Sequence, residues 1–228
     1  QKPRATSAAD LEELMLAREQ SRAKLVVGHQ VLLAPGMQAL LRSLRSGAIG
    51  DIERVASCRV SSGAKHNLAS ALWELGPHDV SACLRCFGEP PVEVSCVATD
   101  PAQQSVELTL SFGGGRSAVL MLSRMGEGAR RELVVTGSTG ALRFDELSGS
   151  VNGEPAVPGR DPLVLQCEHL VACARGEADS WFGFEEGRAV TEVLMRAERA
   201  MVPARASDPR PRTRATGPLG GVPSFDGS

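Results

Sequence analysis

At 228 residues and a net charge of −2, the chain is long enough to bury a sizeable core in one large or two small domains. It carries no basic excess of the kind that marks a nucleic-acid surface. No apolar run approaches the ~18–20 residues of a membrane span and no secretory leader is apparent, so the six cysteines at 58, 83, 86, 96, 167 and 173 are expected to be reduced, cytosolic and mostly buried.

In chain order, "SAAD" at 7–10 has the S-x-x-D form of a capping box and opens a helix to about Ser21. "KLVVG" at 24–28 is predicted as a short buried strand, and a helix followed by an apolar strand is half of a βαβ unit. A second helix spans about Gly36–Ser46, stopped by Gly47. The pattern then turns to strands: "IERVASCRV", "PVEVSCVAT", "SVELTLSF", "SAVLMLSR", "RELVVTG" and "GALRFDE" are β-rich and separated by Gly, Pro or Asp turns. Two helical stretches follow, Leu163–Ala174 and Glu185–Met201. Beyond Pro203 the chain is Pro, Arg, Gly and Ser with few apolar residues, a composition expected to be disordered.

The stretch "LWELGPHDV" at 72–80 sets two titratable groups, Glu74 and His78, in an otherwise apolar passage. Because the residue before a proline is biased away from helix, a helix is predicted to start at Pro77, with Gly76 near its cap and Gly88 closing it. Val80, Cys83, Leu84 and Phe87 supply its apolar stripe. Glu74 then lies on the extended approach and His78 in the first turn, where the helix N-terminus disfavours an imidazolium. A neutral histidine near a carboxylate suits general acid–base work; a capping turn with a hydrogen-bonded structural histidine is the competing reading.

Two motifs are set aside. "GGGRSA" at 113–118 fits G-x-G-x-x-A, but "VLMLSR" follows it and no helix does, so it is read as a hairpin turn and not a phosphate loop. Cys83 and Cys86 form a lone CxxC without the second ligand pair that zinc requires, and no metal is expected.

Taken together, "QKP" at 1–3, "KLVVGHQ" at 24–30, "APGMQALLRSLRSGAIGDI" at 34–52, "ALWELGPHDVSACLRCFGEPPVEVSC" at 71–96, "LVVTGSTGALRFDE" at 133–146 and the closing helices resemble the glucose–fructose oxidoreductase / inositol dehydrogenase (Gfo/Idh/MocA) family. The first of these matches the family's E-K-P and the fourth its D-x-G-x-H-D stretch. The resemblance covers residues 1 to about 201 and is greatest to members that handle nucleotide-activated sugars.

It implies an α+β fold: a mostly antiparallel sheet with helices on one face, preceded by the last helix and strand of a Rossmann α/β domain. Residues 1–30 would be the Rossmann remnant, 31–202 a substrate and oligomerisation domain, and 203–228 a tail. Family members carry a glycine-rich loop in about a hundred further residues before this point. The sequence therefore reads as a fragment, or as a shortened protein unable to hold a nicotinamide by itself.

The implied activity is hydride transfer between NAD or NADP and a sugar, polyol or nucleotide-sugar hydroxyl. The alternative is a non-enzymatic remnant serving as a sugar-binding or oligomerisation module. By resemblance, Lys2 and His78 meet at the reacting carbon, Lys2 stabilising alkoxide charge and His78 taking the proton. Gln1, in place of the family's Glu, and Lys2 would border the cofactor. Glu74 stands where the family usually has Asp, orienting substrate or histidine. "LL" at 32–33 replaces the family's Arg-Phe.

Among the remaining polar residues, His29 ends the predicted strand and is read either as lining the pocket or as a plain loop histidine. Lys65 and His66, in a polar loop, are read as substrate contacts or as solvated loop residues. His169 reads as structural, and the arginine-rich tail as a solvated end.

The sheet should also have an open side. Val106, Leu108, Leu110 and Phe112 point one way in "SVELTLSF", with Glu107, Thr109 and Ser111 opposite. "AVLMLS" and "ELVVTG" are apolar on both faces, which predicts a homo-oligomer through the open sheet face, as family members tend to pair.

Overall fold

The computed structural model describes residues 8–21, 26–61, 70–126, 128–156, 160–178, 180 and 183–203. Gln1, Lys2, Ser7, Lys65, His66 and the tail after Pro203 lie outside these.

Helix α1 (Ala8–Gln20) comes first. Then follow a short α2 (Gln30–Leu33), α3 (Pro35–Arg45), β1 (Ile52–Val60) and α4 (Ala71–Phe87). Strands β2 (Glu93–Ala98), β3 (Ser105–Ser111), β4 (Ser117–Ser123), β5 (Arg130–Gly137) and β6 (Gly140–Asp145) form the body of the sheet. It is extended by the two-residue β7 (Ser150–Val151) and β8 (Glu154–Pro155). Helices α5 (Pro162–Arg175) and α6 (Phe184–Arg199) precede an edge strand, β9 (Met201–Pro203).

Among the described residues the strands make one nine-stranded sheet, ordered β8-β7-β6-β5-β1-β4-β3-β2-β9. Only β1–β4 and β2–β9 are parallel; the other pairs are antiparallel. This is the expected α+β architecture. The three shortest strands were not legible as sequence patterns, because two or three residues carry no alternation.

One face of the sheet is the core. Val55, Leu108, Leu110, Leu120, Leu122, Val135 and Phe144 meet Leu72, Val80 and Cys83 of α4, Met37 and Leu40 of α3 and Leu194 of α6. Helix α6 packs on α4 and β2, and α3 on β6 and β7, so these helices share that face. A smaller cluster of Leu11, Phe184 and Met195 ties α1 to α6. The turn at Gly113–Gly115 joins β3 to β4 with Gly114 and Gly115 at φ 71° and 76°, a hairpin as expected.

Two local expectations are corrected. The first concerns α4, which begins at Ala71 and not at Pro77, so that Pro77 lies inside it. An interior proline costs about 3 kcal/mol through a lost N–H and a clash with the preceding turn. Part of the usual penalty on the residue before proline is a clash with that residue's Cβ, and Gly76 has none. A Cβ there would also meet Leu194 Cδ2 at 2.8 Å, so Gly76 is where α4 and α6 approach closely. The first turns of α4 are held by the burial of Ala71, Leu72 and Leu75. Gly88 does close the helix, at φ 72°.

The second concerns "KLVVG". Residues 26–29 adopt no regular strand. They cross between α5 and α6: a Cβ on Gly28 would lie 3.1 Å from Gln166 Nε2, and one on Gly187 would lie 2.7 Å from Val27 Cγ2. Val26 and Val27 are half-buried rather than buried, and Val27 packs on a helix at Gly187.

Candidate functional site

His78 lies in the interior of α4, half-buried. Its acidity is therefore not set by a helix N-terminus. The imidazole is pushed below the ordinary histidine value of 6.5 first by burial and then by the Arg59 guanidinium; Asp79 and Glu146 oppose the shift and Arg131 adds to it. The shift runs in the direction expected from the sequence, for a different physical reason.

His29 enters from the segment before α2. It is 4% exposed, and its carbonyl accepts from Leu32 N at 3.0 Å. Burial lowers its pKa to about 4, with His78 as the second cause, so two imidazoles lie within electrostatic reach of each other. His29 also borders a cavity. Its volume is about 110 Å³, and it is lined by His29 and Leu32, by Ser81 and Arg85 of α4 and by Glu186 and Val190 of α6. At ~30 Å³ per water it holds three or four waters; it fits one polar group of a ligand and is too small for a whole nucleotide sugar.

Glu74 stands four residues before His78 within α4, and its carboxylate is engaged by an arginine. Glu74 Oε2 lies 3.0 Å from Arg124 Nε, an ion pair whose arginine side chain is 3% exposed. His169 is buried on α5 with Nε2 3.5 Å from Cys173 Sγ, consistent with a packing role. Cys83 and Cys86 are buried in the core, where desolvation raises both thiols, Cys86 to about 12. Thiols so far from ionisation are suited to packing.

What sequence reasoning missed is the charge cluster beneath His78. Asp79, its neighbour, is 3% exposed. Its Oδ1 accepts from Ser57 Oγ at 2.8 Å and from Arg59 Nη2 at 3.3 Å, and its Oδ2 accepts from Arg59 Nε at 2.7 Å. Arg59 Nη2 also donates to Glu146 Oε2 at 2.7 Å, and Arg131 Nη1 donates to Glu146 Oε1 at 3.0 Å. The signal was present in β1: Val55, Ser57 and Arg59 share one face by the two-residue period. An arginine in register with a core valine requires a buried acid.

Fold and site together give an α+β domain with its helices on one sheet face and a small cavity between His29, α2, α4 and α6, with His78 on α4 within electrostatic reach of His29. Residues 37–143, from α3 to β6, match the GFO/IDH/MocA C-terminal domain model. This stretch is thus similar to the C-terminal domain of the GFO/IDH/MocA oxidoreductases.

Solved structures agree on the fold. UDP-N-acetylglucosamine 3-dehydrogenase GnnA from Acidithiobacillus ferrooxidans superposes at TM-score 0.76 with 19% identity, over 88% of this chain and 68% of that one. The aldose-aldose oxidoreductase from Caulobacter crescentus gives 0.72 and 22%, over 87% and 68%. GenD2 of gentamicin A biosynthesis, solved in complex with NAD, gives 0.75 and 19%, over 87% and 67%. Among curated proteins none matches this sequence. No helix among the described residues is long and apolar enough to cross a membrane.

Proposed function

We propose that this chain is the substrate domain of a nicotinamide-dependent dehydrogenase acting on a hydroxyl of a sugar, polyol or nucleotide sugar. The observation that carries the reading is His78: a half-buried imidazole whose pKa is pushed down on α4, within electrostatic reach of His29, which lines a small, mainly apolar cavity with a few polar groups, on a chain that matches the GFO/IDH/MocA C-terminal domain model. A neutral imidazole beside a crevice takes up a hydroxyl proton as the carbon is oxidised. Lys2, outside the described residues, is assigned by resemblance to the developing alkoxide; Lys65 and His66, also outside them, are read from their polar loop as substrate contacts.

A nicotinamide supplies the hydride acceptor in such chemistry. The described residues do not fit its pyrophosphate, since the glycines at 113–115 feed β4 and open no helix. NAD or NADP therefore falls to a dinucleotide-binding domain, with Gln1 and Lys2 at its edge and residues 1–30 as that domain's end.

The test joins the chain to such a domain and follows nicotinamide reduction across free sugars, polyols and nucleotide sugars. Saturable turnover with one class is the expected result. Cofactor binding without turnover on any class would overturn the reading. It would favour the second one, a non-enzymatic sugar-binding module, which the engagement of Glu74 by Arg124 supports.

The open sheet face is proposed to pair two copies of the chain. Helices α3, α4 and α6 leave it uncovered, and Ala56, Val119 and the 37%-exposed Met121 form an apolar strip on it. Arg130, Glu132 and Arg143 make an ion-pair cluster at its edge. An apolar strip with a charged rim suits a two-fold interface. Light scattering should give a dimer at tens of micromolar, and Met121→Lys should dissociate it; a wild-type monomer at that concentration rules the interface out.

A further inference from the structure

We propose that Arg59, acting through Asp79 and Glu146, is a positioning residue for His78: it fixes that turn of α4 on β1 and sets the charge beside the imidazole. The inference rests on the reading of His78 as the proton acceptor.

The geometry is a chain of charge-assisted contacts. Arg59 reaches Asp79 with two nitrogens, at 2.7 and 3.3 Å, and Ser57 Oγ adds a third contact at 2.8 Å. Three contacts from β1 to the residue after His78 leave that turn little freedom to rotate, because Arg59 and Asp79 are both buried and the guanidinium is a rigid fork. The far side of the fork is held by Glu146, which Arg131 holds in turn.

Two cations and two carboxylates balance, so the imidazole sits beside a neutral cluster whose nearest member in effect is the cation. Besides burial, the groups that act on His78 are Arg59 from β1, Asp79 from α4, Glu146 after β6 and Arg131 from β5, with His29 coupled to it from the segment before α2. Arg59 makes protonation harder, while the two carboxylates make it easier.

A purely structural clamp and a charge-setting one give different outcomes. Loosening the helix hydrates His78 in every variant and moves its pKa up, towards 6.5. Charge-setting moves it up when the cation is lost and down when a carboxylate is lost.

The experiment is an NMR titration of the imidazole resonances in the intact chain, with His78→Asn identifying the signal among the four histidines. The expected result is a midpoint raised in Arg59→Met and lowered in Asp79→Asn and Glu146→Gln. Upward movement in all three, or none in any, overturns the proposal. If the two buried-site variants fail to fold, Glu146→Gln at the cluster's accessible edge decides alone, and an unchanged or raised midpoint there is the overturning result. The readout needs neither cofactor nor substrate, so a failed dehydrogenase assay and a failed titration are told apart.

Discussion

In the chain joined to a dinucleotide-binding domain, His78→Ala is expected to lower kcat by about a hundredfold or more, the usual loss for a general base. The fold should survive, since His78 is half-buried while the buried neighbours Val80, Asp79 and Cys83 are untouched. Substrate KM should change little, because the lost group acts on the proton and the crevice walls at Leu32, Ser81 and Val190 remain. The pH dependence follows from sign. The active form is the neutral imidazole, present above the folded-state pKa, and that pKa is lowered. The acid limb of kcat should therefore lie below pH 6.5, the ordinary histidine value, and vanish in the alanine variant. Steady-state rates with and without the substitution are the check. Near-normal turnover would return His78 to a packing role.

Much of this fold could be read from residue order because its longer elements repeat a period several times. The six β-rich stretches became β1–β6 in place, and the alternation of Val106, Leu108 and Leu110 against Glu107 and Thr109 is seen in β3. Errors arose where one residue was allowed to outvote its context. Pro77 argued for a helix start, yet the burial of Ala71, Leu72 and Leu75 extends α4 through it, and Gly76 removes much of the steric objection. "KLVVG" had strand composition, but β-propensity reports fit to a half-buried surface, and Val27 meets α6 at Gly187.

For the site, His78 and His29 were nominated from type and position, and the structure sets them within reach of each other. Glu74 was nominated by resemblance, standing where the family usually has Asp, and its carboxylate pairs with Arg124. No local pattern announces that pairing, because Arg124 is 50 residues away at the end of β4. The Arg59–Asp79–Glu146 cluster is distant in sequence in the same way, and only the face parity of Arg59 hinted at it.

The largest stability effect is expected at Asp79→Ala, about 3–5 kcal/mol, the range for removing one partner of a buried ion pair. The loss strips Arg59 of two contacts and Ser57 of one, at positions that water reaches poorly. By contrast Arg131→Ala, whose side chain is 43% exposed, should cost only about 0–1 kcal/mol as a surface pair. Urea unfolding of the two variants side by side separates a buried charge from a rim charge.

Acid should reproduce part of the Asp79 effect. Despite its desolvation, Glu146 is held below the ordinary carboxyl value of 4.5 by Arg59 and Arg131. A carboxylate whose folded pKa is depressed contributes stability that is complete above its unfolded pKa and disappears as pH falls through the folded one. The wild type should therefore lose stability below about pH 4.5, and Glu146→Gln should flatten that limb. A double variant, Arg59→Met with Asp79→Leu, closes the argument. With both charges gone no buried ion is stranded, and Glu146 keeps Arg131 at the rim, so the double loss should be smaller than that of Asp79→Ala alone. If it is instead the sum of the two single losses, then Arg59 and Asp79 are not an energetic unit, and the clamp beneath His78 is not there.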